Sequence, residues 1–137
     1  MNKKRLLIVT SEFPPQPGGI GNHAYNLAKQ LQLNDCNVTV LTDVRSKKGF
    51  EEQQFDVTLP FKVVRIKRYR IILFTYLKRI FTYRSLVTKS AMILATGKFS
   101  LWMLGLDPFL NKKNKHAVIH GSELNLKGFA KKLTNNA

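Results

Sequence analysis

Hydrophobic and polar positions along the chain form two kinds of pattern, and the two alternate. The first kind is a short continuous apolar run, which occurs at Arg5–Thr10, 38–42, 62–68, Met92–Thr96 and 116–120. Continuous apolar runs of this length are typical of strands that are buried on both faces of a parallel sheet. The pattern therefore predicts about five parallel strands.

The second kind of pattern places apolar residues three or four positions apart, as on one face of a helix. A first helix, which ends near Asn34, has its apolar positions at Ile20, Ala24, Leu27, Ala28 and Leu31. A second helix has them at Leu73, Leu77, Ile80, Tyr83 and Val87. Strands that alternate with helices indicate an α/β fold, here a Rossmann-like open parallel sheet with helices on both faces.

The length of the chain bounds its organisation. Because 137 residues are close to the usual size of one domain, we expect residues 1–137 to build a single core. Residues 126–133 look like the start of another helix with no strand after it, so we expect this domain to be incomplete. Cys36 is the only cysteine, which excludes an internal disulfide and the multi-cysteine zinc ligand sets. We therefore expect no metal site.

The apolar segments also bear on location. The basic residues 2–5 are followed by an apolar run, 6–9, that is too short for a secretory signal. The longest lipid-like stretch, 71–77, is far shorter than the roughly 20 residues of a membrane-spanning helix. We expect a cytoplasmic protein that does not span a bilayer.

The charge balance is strongly basic, because 23 Lys and Arg against 8 Asp and Glu give a net charge of +15. A charge of this size points to an anionic partner such as acidic lipid, nucleic acid or a phosphorylated substrate. Residues 62–89, which we call the basic segment, contain nine Lys and Arg and no acid. We expect the contact with an anionic partner to fall there.

The basic segment allows more than one interpretation. Apolar and aromatic residues interleaved with Arg and Lys occur in helices that rest on anionic membranes, which predicts peripheral attachment at the inner face of the membrane. In the simpler interpretation, which we prefer on sequence alone, Lys78, Arg79 and Lys89 are solvated and the apolar positions face the sheet, namely Leu73, Leu77, Ile80 and Val87. Nucleic acid is the weaker alternative, since no nucleic-acid motif accompanies the charge.

A loop rich in proline and glycine follows the first strand, with Pro14-Pro15 and then Gly18-Gly19-Ile20-Gly21 before the helix. Glycine lets a ligand approach the backbone, and a helix amino terminus offers unpaired N–H groups to an anion. Because ligands of such folds bind beyond the carboxyl ends of the strands, we predict that Gly18, Gly19 and Gly21 contact a phosphate or a sugar. The alternative is that the glycines only turn the chain.

A dinucleotide site is the main rival interpretation of this loop. Asp43 lies 22 residues after Gly21, near the usual position of a ribose-binding acid. However, that fingerprint requires G-x-G-x-x-G directly after the strand, whereas residues 11–17 intervene here. We therefore interpret Asp43 as a solvated strand end. A P-loop is excluded because no Lys-Ser or Lys-Thr follows the glycines.

The loop and its flanking elements resemble the opening of family-four, retaining glycosyltransferases with the GT-B fold. The shared order is a strand, Pro-Pro, Gly-Gly, a helix with His-x-x-x-Leu-Ala and a strand ending in Thr, here at Pro14, Pro15, Gly18, Gly19, His23, Leu27, Ala28 and 38–42. The resemblance implies transfer of a sugar from a nucleotide-sugar donor to a hydroxyl of a glycan or lipid-linked acceptor, in polysaccharide or glycolipid synthesis. It also implies that the glycine loop lies in an interdomain cleft.

A second block, 116–123, resembles the segment of these enzymes that carries a histidine at a strand end on the cleft side. The resemblance implies that His120 is catalytic and contacts the donor sugar, a role that suits an imidazole able to donate a hydrogen bond at neutral pH. Glu123 is a weaker candidate for donor or acceptor binding, since such a carboxylate also caps helices. In the alternative interpretation His120 only caps a strand.

The resemblance covers nearly the whole chain but only part of the family's domain pair. In these enzymes a carboxy-terminal Rossmann domain supplies most nucleotide contacts, through a basic pair and two glutamates separated by seven residues, and we find no such glutamate pair in the sequence. The resemblance therefore implies a missing domain or a second chain as partner, and we expect the isolated chain to be inactive. A fragment, a split enzyme and a decayed copy are equally compatible with this sequence. The resemblance implies no cofactor, because the nucleotide sugar is a substrate.

Overall fold

The sheet and its helices are seen in a computed structural model, which describes residues 3–97, 100, 103 and 114–118. The strands of this part are β1 (Arg5–Thr10), β2 (Asn37–Asp43), β3 (Lys62–Ile66), β4 (Met92–Thr96) and β5 (Asn114–Val118). The helices that connect the first four strands are α1 (Gly19–Leu33), α2 (Phe50–Asp56) and α3 (Ile72–Lys89).

All neighbouring strands run parallel, in the order β3-β2-β1-β4-β5. β1 is central, because Leu6 lies opposite Val38 of β2 on one side and opposite Met92 of β4 on the other. Its sequence explains this position, since Leu7 and Ile8 are both inaccessible to solvent and belong to the cores of opposite faces. The prediction of a Rossmann-like open parallel sheet of about five strands is confirmed.

Each face of the sheet carries its own apolar core. On one face Ala24 and Ala28 of α1 pack against Ile8, and their small side chains let the helix approach the sheet closely. On the other face Tyr83 and Val87 of α3 pack against the other side of the same strands. The two helices therefore lie on opposite faces, which leaves the carboxyl edge of the sheet between them.

Three elements differ from the sequence-based prediction. β3 ends at Ile66 rather than at residue 68, and β5 covers Asn114–Val118 where 116–120 is expected. The apolar pattern does not predict α2, because its sequence, FEEQQFD, has no apolar repeat and its buried residue is Glu52. The helix expected at 126–133 lies outside the described residues.

The orientation of α3 contradicts the simpler interpretation of the basic segment. Leu73, Leu77 and Ile80 are expected to face the sheet, but they are 60%, 41% and 46% exposed. Of the four apolar positions in that interpretation only Val87 is buried. The buried residues of the helix are Thr75, Tyr83 and Val87.

A buried ion pair explains this orientation. Arg79 and Asp43 are both expected to be solvated, yet each side chain is only 12% exposed and the two bind each other at the end of β2. A buried charge without a partner costs far more free energy than an exposed apolar side chain. The pair therefore determines which side of α3 faces the sheet, and both interpretations of these residues as solvated are wrong.

Candidate functional site

The order of the strands changes direction beside β1. The chain moves outward from β1 to β2 and β3, and then returns to place β4 on the other side of β1. In open α/β sheets such a switch point leaves a crevice at the carboxyl ends of the two strands, where ligands bind. In this chain the crevice begins where Thr10 of β1 is paired with Thr96 of β4.

Two loops and a helix end meet at this crevice. Gly97, directly after β4, has a φ of +90°, and a β-carbon there would collide with Ser11 Oγ and lie 3.6 Å from Cγ2 of Ile20. Glycine satisfies both the backbone conformation and the close approach. The loops after β1 and β4 are therefore in contact next to the amino terminus of α1. Sequence reasoning missed Gly97, although a glycine directly after a predicted strand could have indicated it.

The three glycines of the loop after β1 have different surroundings. A β-carbon on Gly21 would lie 3.0 Å from the backbone nitrogen of Phe13, so this buried glycine lets α1 pack on the loop. By contrast, apart from its chain neighbours and the backbone of its own helix, no described residue has an atom within 4 Å of a β-carbon placed on Gly19, the exposed first residue of α1. Gly18 lies against the side chains of Glu12 and Arg45. Space for a ligand is therefore found at Gly19, whereas Gly21 has a packing role.

Phe13 anchors the same loop in the core. Its side chain is fully buried, and its ring meets the rings of Tyr25 and Phe61 edge-on, with centroids 6.1 and 6.4 Å away. Such pairs add about 0.5–1.5 kcal/mol beyond the area that they bury. The hydroxyl of Thr10 also donates to the carbonyl of Glu12 at 2.8 Å. These contacts hold the start of the loop in one conformation at the crevice.

Arg65 at the end of β3 joins the loop to its neighbours. Its Nε and Nη2 both donate to the carboxylate of Asp56 in α2 at 2.8 Å, and Nη2 also donates to the carbonyl of Pro14. Its guanidinium carbon lies 5.6 Å from the centroid of the Phe13 ring. With only 7% of its side chain exposed, Arg65 is committed to contacts within the protein. Nothing in the sequence pattern singles it out.

A second buried carboxylate orders the segment after β2. Glu52 accepts hydrogen bonds from the N–H groups of Arg45 (3.0 Å) and Ser46 (2.7 Å) and from the Ser46 hydroxyl. Burial raises the pKa of Glu52, but the hydrogen bonds, first that of the Ser46 hydroxyl, outweigh it and lower the pKa to about 2. Glu52 is therefore ionised at neutral pH, and its oxygens are used to hold this segment in place.

The segment held by Glu52 places Arg45 beside the glycine loop. Its Nη1 donates to the carbonyl of Pro17 at 3.1 Å and lies 4.0 Å from Oε2 of Glu12. The two side chains are 32% and 30% exposed, so a cation and a carboxylate flank Gly18 at the surface. In such a pair the guanidinium can bind an anion, and the carboxylate can accept a hydrogen bond from a hydroxyl group. Sequence reasoning missed Arg45, because it lies in a polar loop without any recognisable spacing.

A shallow pocket opens on the α3 side of the crevice. It is open to solvent, encloses a volume of only about 10 Å³, and is lined by residues that include Val9, Ser11, Asp43, Arg79 and Ser100. Sites for small molecules usually measure about 300–1,000 Å³, and the two charges at its base neutralise each other. The residues that form this pocket are therefore too few to enclose a nucleotide sugar.

The other candidates of the sequence analysis, His120 and Glu123, lie outside the described residues, and their roles stay predictions. His116, the other histidine of that block, lies on β5 and is exposed. In the part of the chain that the structure describes, no group of three or more His, Cys, Asp and Glu side chains is arranged to hold a metal ion.

Comparison with known proteins gives a likeness in fold. No protein-family model matches the sequence, and no curated protein matches it either. The fold is similar to that in the crystal structure of Acinetobacter baumannii MurG, with a TM-score of 0.59, 20% sequence identity and coverage of 98% of this chain. The chain spans only 39% of the length of that protein. This chain therefore has the fold of one part of MurG.

Proposed function

We propose that this chain is the amino-terminal domain of a glycosyltransferase, which moves a sugar from a nucleotide-sugar donor to a hydroxyl of a glycan or lipid-linked acceptor. The observation that carries the proposal is the crevice between β1 and β4, where the loop at Gly18 and Gly19 meets Arg45 in a domain folded like part of MurG. The finer assignment, a retaining enzyme of family four, rests on the sequence resemblance alone.

Each group at the crevice has a chemical role in this proposal. The unpaired N–H groups and the positive dipole end of α1 attract a donor phosphate, and the open space at Gly19 lets it approach. Arg45 adds a full positive charge beside them, and the carboxylate of Glu12 accepts a hydrogen bond from an acceptor hydroxyl. His120 contacts the donor sugar, and Glu123 assists in binding donor or acceptor.

A second domain completes the site in this proposal. The described pocket, which encloses only about 10 Å³, needs another wall to hold a nucleotide sugar. A carboxy-terminal domain or a second chain supplies that wall and most nucleotide contacts, and its closure excludes water from the reaction. The chain alone is therefore expected to be inactive.

The proposal is tested by purifying this chain together with the polypeptide encoded directly downstream of it. The mixture is supplied with UDP-, GDP- and ADP-linked sugars and a membrane lipid extract, and release of the nucleoside diphosphate is measured. We expect release only when both polypeptides and an acceptor are present. A stable complex that releases nucleotide from none of these donors would contradict the proposal.

Two substitutions connect that activity to the site. Gly19→Leu fills the open space without disturbing the core, so we expect the unfolding free energy to change little and KM for the donor to rise about tenfold or more. His120→Ala should lower kcat about a hundredfold or more, whereas His116→Ala, at the exposed histidine on β5, should change it less than about twofold. Equal effects at the two histidines would remove His120 from the site.

A further inference from the structure

The outer surface of the first part of α3 and of the turn before it is apolar. Its exposed large hydrophobic residues, which we call the apolar patch, are Tyr69, Ile71, Ile72, Leu73, Phe74, Tyr76, Leu77, Ile80 and Phe81. Over the rest of the described chain, the exposed large hydrophobic residues are Leu33, Phe50 and Val57, the last two at opposite ends of α2. Clustering of this kind marks a surface that contacts something other than water.

The charged residues of the segment that carries the apolar patch, residues 62–89, all have one sign. The exposed cations of the patch and its flanks are Lys67, Arg68, Arg70, Lys78 and Arg84, and residues 62–89 contain no acid. Arg65 and Arg79 do not add to this surface, because they bind Asp56 and Asp43 in largely buried pairs. An occupant of the patch must therefore be both apolar and anionic.

We propose that the apolar patch docks on an anionic lipid surface, with α3 lying in the plane of the interface. The aliphatic and aromatic side chains enter the boundary between headgroups and acyl chains, and the Lys and Arg side chains meet lipid phosphates. None of the helices that the structure describes is both long and apolar enough to cross a bilayer. The buried pair of Arg79 and Asp43 fixes α3 with its apolar side outward.

The composition of the patch favours lipid over two other occupants. Nucleic acid would use the cations and the aromatic rings, but the exposed Ile71, Ile72 and Leu73 gain nothing from base stacking. A second copy of this chain would bring the same cations face to face, since a two-fold interface pairs a surface with itself. An anionic membrane satisfies the apolar and the basic residues together.

The apolar patch on α3 and the crevice lie at the same edge of the sheet. Because α3 follows the carboxyl end of β3, its amino-terminal half lies at the edge of the sheet that carries the crevice. The hydroxyl of Thr75 accepts the N–H of Tyr69 at 2.8 Å and ties the turn to the helix there. Docking therefore brings the crevice to the lipid surface, which suits a lipid-linked acceptor. That last step rests on the proposed function, whereas the docking itself does not.

The test is flotation of the purified chain with two kinds of vesicle, in the absence of any nucleotide sugar. One kind is phosphatidylcholine alone, and in the other about a third of the lipid is phosphatidylglycerol. We expect strong binding to the anionic vesicles, at least about tenfold weaker binding to the neutral ones, and loss of binding as salt is raised. Binding of the chain to anionic vesicles, together with a complex with the downstream polypeptide that releases no nucleotide, would leave the docking intact and count only against the proposed function.

Matched variants separate the patch from general basicity. Ile72→Ser, Leu73→Ser and Phe74→Ser together should lower anionic vesicle binding about tenfold or more. Leu33→Ser with Val57→Ser, at residues outside the patch that are even more exposed, should change it less than about twofold. Lys67→Gln, Arg68→Gln and Arg70→Gln should lower it on the order of a hundredfold. Lys4→Gln, Lys47→Gln and Lys48→Gln, which remove the same charge from other exposed sites, should have a much smaller effect.

Three outcomes would overturn the proposal. One is equal binding to neutral and anionic vesicles, or binding to neither. Another is that the serine variant floats like the wild-type chain while both bind a single-stranded oligonucleotide, which would make the surface a nucleic-acid site. The last is that the wild-type chain sediments as a dimer without vesicles, fails to float, and becomes a monomer in the serine variant, which would make the patch a self-association face.

Discussion

Helices α1 and α3 cover opposite faces of one sheet, but they distribute polar and apolar residues in opposite ways. The exposed side of α1 carries Asn22, His23, Asn26, Lys29 and Gln30, and its buried positions include Ala24 and Ala28. The first part of α3 exposes the apolar patch, and Thr75 and Arg79 lie on its sheet-facing side. α1 thus has the polar outer surface of a helix that faces water, whereas the exposed side of α3 is apolar, as the proposed lipid contact requires.

The difference shows what decides the direction in which a helix faces. In α1 the apolar stripe has no competitor, and burial of that stripe is sufficient. In α3 two stripes share Tyr83 and Val87, one continuing through Leu73, Leu77 and Ile80 and the other through Thr75 and Arg79. The polar stripe faces the sheet because Asp43 lies there as the partner of Arg79.

The largest effect on the free energy of unfolding should come from breaking the ion pair between Arg79 and Asp43. Arg79→Met leaves Asp43 buried without its cation, so we expect the free energy of unfolding to fall by about 3 kcal/mol or more. Lys78→Met, at the exposed neighbouring cation, should change it by less than about 0.5 kcal/mol. Urea unfolding of both variants measures the difference. Equal losses would show that the pair does not orient α3.

The α1 side has its own buried carboxylate, Glu52, which is satisfied by N–H and O–H donors instead of a cation. Because folding lowers its pKa from 4.5 to about 2, the stabilisation is complete above pH 4.5 and is lost as the pH falls through about 2. This contribution is about 3 kcal/mol by linkage. Unfolding of Glu52→Gln near neutral pH should show a loss of roughly 2–3 kcal/mol and a weaker acid dependence.

The matched control for Glu52 is its neighbour Glu51, which is exposed and accepts one hydrogen bond from Gln16. Glu51→Gln should cost less than about 0.5 kcal/mol and leave the acid dependence as it is in the wild-type chain. An acid dependence that survives in Glu52→Gln would assign the effect to other carboxylates.

Two glycines at the start of α1 provide the next test. Gly21→Ala puts a methyl group 3.0 Å from the backbone nitrogen of Phe13, and we expect a loss of about 1–3 kcal/mol in unfolding free energy. Gly19→Ala meets open space and removes backbone entropy from the unfolded chain, so it should be neutral or stabilise by a few tenths of a kcal/mol. Thermal unfolding of both variants distinguishes them, and equal losses would contradict the packing role of Gly21.

The smallest effect on the unfolding free energy should come from substitutions in the apolar patch. Ile72→Ser, Leu73→Ser and Phe74→Ser together should change the unfolding free energy by less than about 1 kcal/mol, since all three side chains are more than half exposed. Val87→Ala, at a buried position of the same helix, should cost about 1–3 kcal/mol. Urea unfolding without lipid makes this comparison. A large loss in the serine variant would mean that the patch is covered in solution.

The sequence predicts the elements around β1 well, because their signal is local. Continuous apolar runs are enough to find β1 and β2, and one unopposed stripe is enough to find α1. The same reasoning fails for the orientation of α3, because the deciding partner, Asp43, lies 36 residues away from Arg79 in sequence. It also fails for α2, whose position depends on hydrogen bonds to Glu52 that no apolar pattern encodes.

The candidate site, like the fold, can be predicted from the sequence only in part. The loop with Gly18 and Gly19 could be found from its residues and from the rule that places ligands at strand ends. Gly97 could be suspected from its place directly after a predicted strand, but Arg45 could not, because the proximity of both residues to that loop depends on how β2 and β4 flank β1. The roles of His120 and Glu123 stay predictions.

The contacts of Arg65 have a consequence for the order of events in folding. Its partners Asp56, Asp43 and Pro14 lie 9, 22 and 51 residues before it in the chain. Closing a longer loop loses more chain entropy, so the pairing with Asp56 can form early and the contact with Pro14 must follow the docking of β3. The contact with Pro14 can therefore form only after the third strand has joined the sheet, and we expect the loop with Gly18 and Gly19 to reach its final shape late in folding.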